Sequence, residues 1–168
     1  LVAAVSIVAA VAAEYLYSLI TRTRNTIVDG SAVVTGLLLA MTLPHTCPLW
    51  LAAGGSVFAI LFVKCLCGGL GQNIFNPALA ARAAMMAVYP VGLTRYMGVD
   101  GVTAATPLHH MVMPALPEQT VAQMFLGNCP GSIGEISALA LLLGGGYLVF
   151  RRVISVRIPA AYLGTVAL

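Results

Sequence analysis

Residues 1–20 read LVAAVSIVAAVAAEYLYSLI, and Glu14 is the only one of them charged at neutral pH. A run this long and this apolar leaves few options. About twenty residues of helix match a hydrocarbon core of about 30 Å, and in lipid the backbone must satisfy its own polar groups. The rest of the chain agrees. Of 168 residues, 60% are hydrophobic and 8% charged, with a mean hydropathy of +0.98. A soluble domain carries about 25% charged residues, so there is too little polar material here to cover a water-facing surface. The expected fold class is an all-α, polytopic transmembrane helical protein. The apolar runs are continuous and rich in Ala and Leu rather than alternating with period two, which argues against a barrel.

The chain starts at Leu1 inside an apolar run and stops inside IPAAYLGTVAL, which is too short to span. The expectation is one integral membrane domain over 1–168, a fragment of a longer chain, with no cleavable signal in view. The net charge of +3 is small and its cations sit at segment ends. No nucleic-acid partner follows from that; the lipid bilayer does. Cys65 and Cys67 form a single C-x-C without a second pair, so Cys47, Cys65, Cys67 and Cys129 read as small apolar residues rather than metal ligands.

Along the chain, spanning runs alternate with broken ones. Residues 31–44, SAVVTGLLLAMTLP, hold about thirteen apolar residues, or about 20 Å of helix, which suits a half-helix closed by Pro44. Residues 48–67 are long enough to span, with Gly54-Gly55 as a close-packing point. CGGLGQNIFNP at 67–77 breaks the helix, and ALAARAAMMAVYP at 78–90 forms a second short one. About forty residues without a spanning run follow, and SIGEISALALLLGGGYLVFRR then supplies a further spanning helix. The positive-inside rule places Arg22, Arg24, Arg151 and Arg152 in the cytoplasm, which puts residues 91–130 outside. Lys64 and Arg95 blur that count. Asp29-Gly30-Ser31-Ala32 and Glu135-Ile136-Ser137-Ala138 echo each other as acid-x-Ser-Ala before a Leu-rich run. Inverted repeats built on broken helices place ions this way, and ordinary helix-start chemistry gives the same pattern.

Several polar residues stand out against this background. Asn76 and Pro77 read as N-cap and first residue of a helix. Gln72, Asn73 and Arg82 have no such explanation, and Arg82 is either a ligand or a snorkelling cation. Glu14 is placed at the cytoplasmic interface rather than in a site. His109-His110 read as a solvated pair, because neighbours in a helix point apart. GVTAATPL, 101–108, is small and uncharged. Thr106 before Pro107 suits an N-cap, yet VTAA has nothing to pack; what it offers is access to a hydroxyl.

With these segments in place, the chain resembles a family. DGVTAATPL resembles the flavinylation motif, approximately [S/T]-x-A-T, of membrane proteins that carry FMN on a threonine. DGSAVVTGLLLAMTLP, GGLGQNIFNPALAARA and GSIGEISALALLLGG resemble three further blocks of that family in the same order. The family includes the D component of the Rnf ion-translocating electron transport complex and the B component of the sodium-pumping NADH:quinone reductase. GGLGQNIFNPALAARA looks closer to the Rnf protein. The resemblance covers most of residues 28–146. Its members are about twice this length.

The resemblance implies a membrane subunit of an ion-translocating ferredoxin:NAD oxidoreductase, a translocase, in the cytoplasmic (inner) membrane of a prokaryote. Thr106 matches the threonine esterified to the FMN phosphate, Thr103 the first residue of the motif and Ala105 the residue before the acceptor. Ala104 stands where glycine is frequent, and Ile136 where threonine is common. A flavin transferase would make the bond, so no catalytic triad is expected beside Thr106. A second, noncovalent flavin is a further expectation, with Asn73, Asn76 and Arg82 as its candidate contacts. Asp29 and Glu135 are the candidates for ion coupling, and the other subunits of the complex are the expected partners. Two rivals stay open: a relative of the B component of the quinone reductase, and a passive channel with inverted repeats and no covalent flavin.

Overall fold

The computed structural model describes residues 1–22, 27–69, 71–97, 103–104 and 120–166. These form helices α1 (Val2–Thr21), α2 (Ser31–Met41), α3 (Leu49–Phe58), α4 (Pro77–Val88), α5 (Pro90–Thr94), α6 (Val121–Leu126), α7 (Ala138–Phe150) and α8 (Arg157–Val166). A single turn of 3₁₀ helix, Ile27–Asp29, precedes α2, and α3 runs on without a break into a π-helix, Ala59–Cys65. Two two-residue strands, β1 (Tyr96–Met97) and β2 (Thr103–Ala104), pair antiparallel with Tyr96 opposite Ala104 and Met97 opposite Thr103. The helical expectation holds. Among the described residues α1 is the one helix long and apolar enough to cross a membrane.

The core is a bundle of α1, α2, α3 with its π extension, and α4. α1 and α2 pack through small side chains. Ser6, Ala10 and Ala13 of α1 are buried, as are Ala32, Gly36 and Ala40 of α2, each set at about one residue per turn. Gly36 sets the separation. A Cβ there would lie 2.8 Å from the Ser6 carbonyl oxygen and 2.9 Å from the Ile7 Cα, so only glycine admits this approach.

The buried stripe of the third rod explains its change of winding. It reads Leu51-Ala52, Gly55-Ser56, Ala59-Ile60, Val63-Lys64, a pair every four residues. In an α-helix a four-residue step overshoots one turn by about 40°, so the stripe would drift off the core. A π turn holds more residues, so the same step falls short and rotates the stripe back. The winding thus keeps Val63 and Lys64 facing inward. Gly55 fulfils the expected close packing, since a Cβ there would run into the Met85 sulfur of α4. Gly54 has open space beside it, as do Gly144, Gly145 and Gly146.

Two expected spans are shorter than the sequence suggests. The third rod covers Leu49–Cys65, 17 residues rather than 48–67. Residues 132–152 do not form one spanning helix: α7 has 13 residues, Ala138–Phe150, about 20 Å long. The reason lies at α2. The amides of Ile133 and Gly134 donate to the carbonyls of Leu43 (3.1 Å) and Met41 (2.8 Å). Residues 130–137 therefore satisfy backbone groups at and just beyond the C-terminus of α2, instead of winding into α7, and Ser137 caps α7 through the Ala140 amide. The echo of 29–32 in 135–138 is correspondingly inexact. Ser31 is the first residue of α2, whereas Ser137 is the cap of α7.

Candidate functional site

The site grows from the two helix breaks. Between the π-helix and α4 the chain turns through Gly68, Gly69 and Gly71, at φ +102°, +93° and +85°, conformations open to glycine and strained for other residues. With its amide set to match its neighbours, Asn73 donates to the carbonyls of Gly69 (3.1 Å) and Val63 (3.3 Å). Its side chain thus satisfies backbone freed by the break. Asn76 Oδ1 accepts from the amides of Ala78 (3.0 Å) and Leu79 (3.4 Å), the capping role expected, with Pro77 in the first turn.

The N-termini of α2 and α4 flank one cleft of about 490 Å³, lined by Ser31, Val34, Lys64, Asn73, Phe75 and Asn76 among others. Beneath it lies a polar relay that the sequence does not announce. Lys64, the only lysine of the chain, donates to Glu14 Oε1 at 2.6 Å and to Ser31 Oγ at 2.6 Å. Ser31 in turn donates to Asp29 Oδ1 through its hydroxyl at 2.5 Å and through its amide at 3.0 Å. The Lys64 and Glu14 side chains are 3% and 2% exposed. Glu14 therefore does not reach the interface as expected: it sits on the buried α1 face with Ser6, Ala10 and Ala13, opposite a cation. The available signal was its spacing, one turn beyond Ala10 on the face of small residues. Lys64 hid the pairing, because in sequence it reads only as a charge to be counted for topology.

Asp29 lies at the exposed end of this relay. The Ser31 hydroxyl first, and the Ser31 amide second, hold its carboxyl below the usual carboxylate range, so it is anionic at neutral pH. The relay thus runs from a buried carboxylate, through an ammonium and a hydroxyl, to a surface carboxylate.

The other expected residues fall elsewhere. Arg82 and Glu135 meet at 3.6 Å, with the Glu135 side chain 62% exposed and that of Arg82 27%. This pair ties the segment before α7 to α4 and stands apart from the cleft lining. Glu135 lies three residues ahead of α7 rather than at its first residue. Thr103 pairs in β2, and the hairpin is anchored where Thr46 Oγ1 donates to the Arg95 carbonyl at 2.6 Å. Ala105, Thr106, His109 and His110 lie outside the described residues.

The sequence is similar to known proteins along its whole length. Residues 1–168 match the model of the NQR2, RnfD, RnfE family. The chain is 45% identical over 176 residues to the D component of the proton-translocating ferredoxin:NAD(+) oxidoreductase complex of Clostridium ljungdahlii, covering 96% of this chain and 53% of that protein. It is 45% identical over 171 residues to the D component of the Na(+)-translocating ferredoxin:NAD(+) oxidoreductase complex of Acetobacterium woodii, covering 98% and 54%. With the B component of the Na(+)-translocating NADH-quinone reductase of Neisseria meningitidis it shares 42% over 142 residues, covering 77% and 35%. The chain spans about half the length of the two ferredoxin:NAD(+) oxidoreductase relatives it matches. On a match that runs from the first residue to the last, the chain belongs to the NQR2, RnfD, RnfE family.

Proposed function

We propose that this chain is part of a multi-pass membrane subunit of an Rnf-type ion-translocating ferredoxin:NAD oxidoreductase, in the cytoplasmic membrane of a prokaryote. It relays electrons through FMN esterified to Thr106, in coupling with Na⁺ or H⁺ transport. The observation that carries the reading is the family match over 1–168 together with 45% identity to two ferredoxin:NAD(+) oxidoreductase components. The 42% identity to a quinone reductase component over a shorter stretch supports that assignment less.

The chemistry of 103–106 fits such a tether. The acceptor is a hydroxyl, its two preceding neighbours are alanines, and the backbone at Thr103 and Ala104 is fixed by pairing with β1. Bound FMN would supply the redox chemistry, and the protein position and field. A covalent link keeps the group on the outer side of the membrane, where no cytoplasmic pool replaces it. In this reading residues 91–130, with β1, β2 and α6 among them, lie on that outer side, and a separate flavin transferase makes the bond. A second, noncovalent flavin in the cleft would meet Asn73 and Asn76, whose side chains also bond the helix break and cap α4.

Asp29 and Glu135 are the proposed ion-coupling carboxylates, and Asp29 has the stronger support because it ends the relay from Lys64. Two measurements test the reading. A denaturing gel viewed under ultraviolet light should show a fluorescent band that Thr106→Ala removes. A dark wild-type band from a host holding the transferase would favour the passive channel. Asp29→Asn should raise the cation concentration for half-maximal electron transfer. An unchanged requirement in both Asp29→Asn and Glu135→Gln removes these carboxylates from coupling.

A further inference from the structure

We propose that a groove between α1 and the third rod holds one acyl chain of an anionic phospholipid of the cytoplasmic leaflet, with the headgroup at Arg22. The proposal rests on the membrane placement of the chain and is independent of the flavin and of ion coupling.

The groove has a volume of about 500 Å³, within the range of about 300–1,000 Å³ of sites that hold small molecules. Side-chain size creates it. On α1 it is bordered by the small residues Ala9, Ala12 and Ala13. On the rod, Phe62 stacks on Phe58, with ring centroids 5.1 Å and planes 21° apart, instead of closing over those alanines. Leu16, Phe62 and Leu66 line the same groove and are each more than half exposed, so it opens to the surface rather than into the core. Among the described residues no charged one lines it. Its two hydroxyl-bearing residues, Tyr17 and Thr21, stand one turn apart at the C-terminal end of α1, where the Thr21 hydroxyl donates to the Tyr17 carbonyl at 2.7 Å. A polar ligand would therefore meet carbon along most of the groove.

Three features favour an acyl chain as the occupant. The first is length. From Ala9 to Thr21 the lining follows about 18 Å of helix, close to the about 15 Å of hydrocarbon in one leaflet. The second is width. A helix of that length and about 10 Å diameter fills about 1,400 Å³, so a neighbouring helix could seat only one row of side chains here, whereas a single chain lies within the groove. The third is charge. Arg22 directly follows Thr21, is exposed, and turns the chain out of α1 at φ +51°. Residues 21–30 hold two arginines against one acid, Asp29, so this end is net positive, and the same arginines place it in the cytoplasmic leaflet. A lipid tail entering the groove exchanges one apolar surrounding for another, so burial alone selects little. The headgroup at Arg22 supplies the preference for anionic over zwitterionic lipid.

The test is photolabelling of the purified complex in phosphatidylcholine vesicles that contain a trace of phosphatidylglycerol with a diazirine midway along one acyl chain, read by peptide mass spectrometry. The label should appear between Ala9 and Thr21. Ala12→Phe, which fills the groove, should abolish that adduct without changing the label on the rest of the chain. Arg22→Asn should lower it about fivefold, as should the same diazirine carried on phosphatidylcholine. Asparagine also accepts the left-handed conformation of residue 22, so this variant keeps the end of α1 and decides the matter if Ala12→Phe does not assemble: equal labelling by the two probes in wild type, or an undiminished anionic preference in Arg22→Asn, overturns the proposal. Label at 9–21 that survives Ala12→Phe means bulk lipid only and overturns it too. So does label elsewhere on the chain with none at 9–21, the result expected if a helix of another subunit covers the groove. A chain that takes no label anywhere overturns the membrane placement and the proposal together. The covalent flavin band, read in the same preparations, reports separately on the redox reading.

Discussion

A carboxylate inside an apolar helix is tolerated only when its charge is met, and at Glu14 one group that meets it, Lys64, is fifty residues away in sequence, on another helix. The energetic consequence is specific. Removing either partner breaks a buried ion pair, at a cost of about 3–5 kcal/mol, whereas removing both charges costs less. Thermal unfolding of the solubilised protein in sodium-free buffer should therefore show Glu14→Gln and Lys64→Met each strongly destabilised, and the double variant recovering part of the loss. Strictly additive losses would mean that the two side chains act independently. This pair was only half legible in the sequence. Glu14 could be seen to be anomalous, but periodicity cannot report which distant residue shares its pocket. Asn76 was legible in full, because a cap is a local device: Asn-Pro before an apolar run determines it within three residues. Asn73 was not, since only the fold brings the Val63 and Gly69 carbonyls that it satisfies beside it.

At the scale of elements, glycine positions separate contacts from open surface. Gly36→Ala would force its methyl against the backbone of α1, with the Ser6 oxygen 2.8 Å away, and overpacking of this kind costs about 1–3 kcal/mol. Gly54→Ala, on the neighbouring rod, meets nothing within 4 Å and should gain from better helix propensity, by about 1 kcal/mol or less. Melting temperatures of the two variants should move in opposite directions; a shared direction would contradict the packing of α1 on α2. Helix breaks at 42–48 and 66–76 were readable from Pro44, the glycines and Pro77. The length of α7 was not, because the sequence of 132–137 is helix-compatible, and its diversion depends on two carbonyls at the end of α2 that only the fold brings near. The π winding was equally hidden. A four-residue stripe is visible in 51–64, but a reading in α-helical turns alone treats it as an imperfect α pattern.

For the molecule as a whole, the described surface carries many large apolar side chains, among them Ile20 and Ile74 at 81% exposure each, and no described residue of α7 or α8 is buried. Such a surface suits lipid or neighbouring subunits, in keeping with the scarcity of charge that set the fold class from the start. The bundle places a charged relay under a cleft at two helix breaks, and it holds Thr103 and Ala104 in a strand pair tied to the loop after α2 through Thr46. The proposed ion-linked electron carrier would draw on both parts, a paired charge within the apolar region and a redox group held at Thr106. The redox group is the central claim, and peptide mass spectrometry on native protein tests it most directly. The account predicts that the peptide containing Thr106 carries the mass of FMN less one water, and that Thr106→Ala removes it. Native material in which that peptide is found bare, from a host that has the transferase, would contradict it.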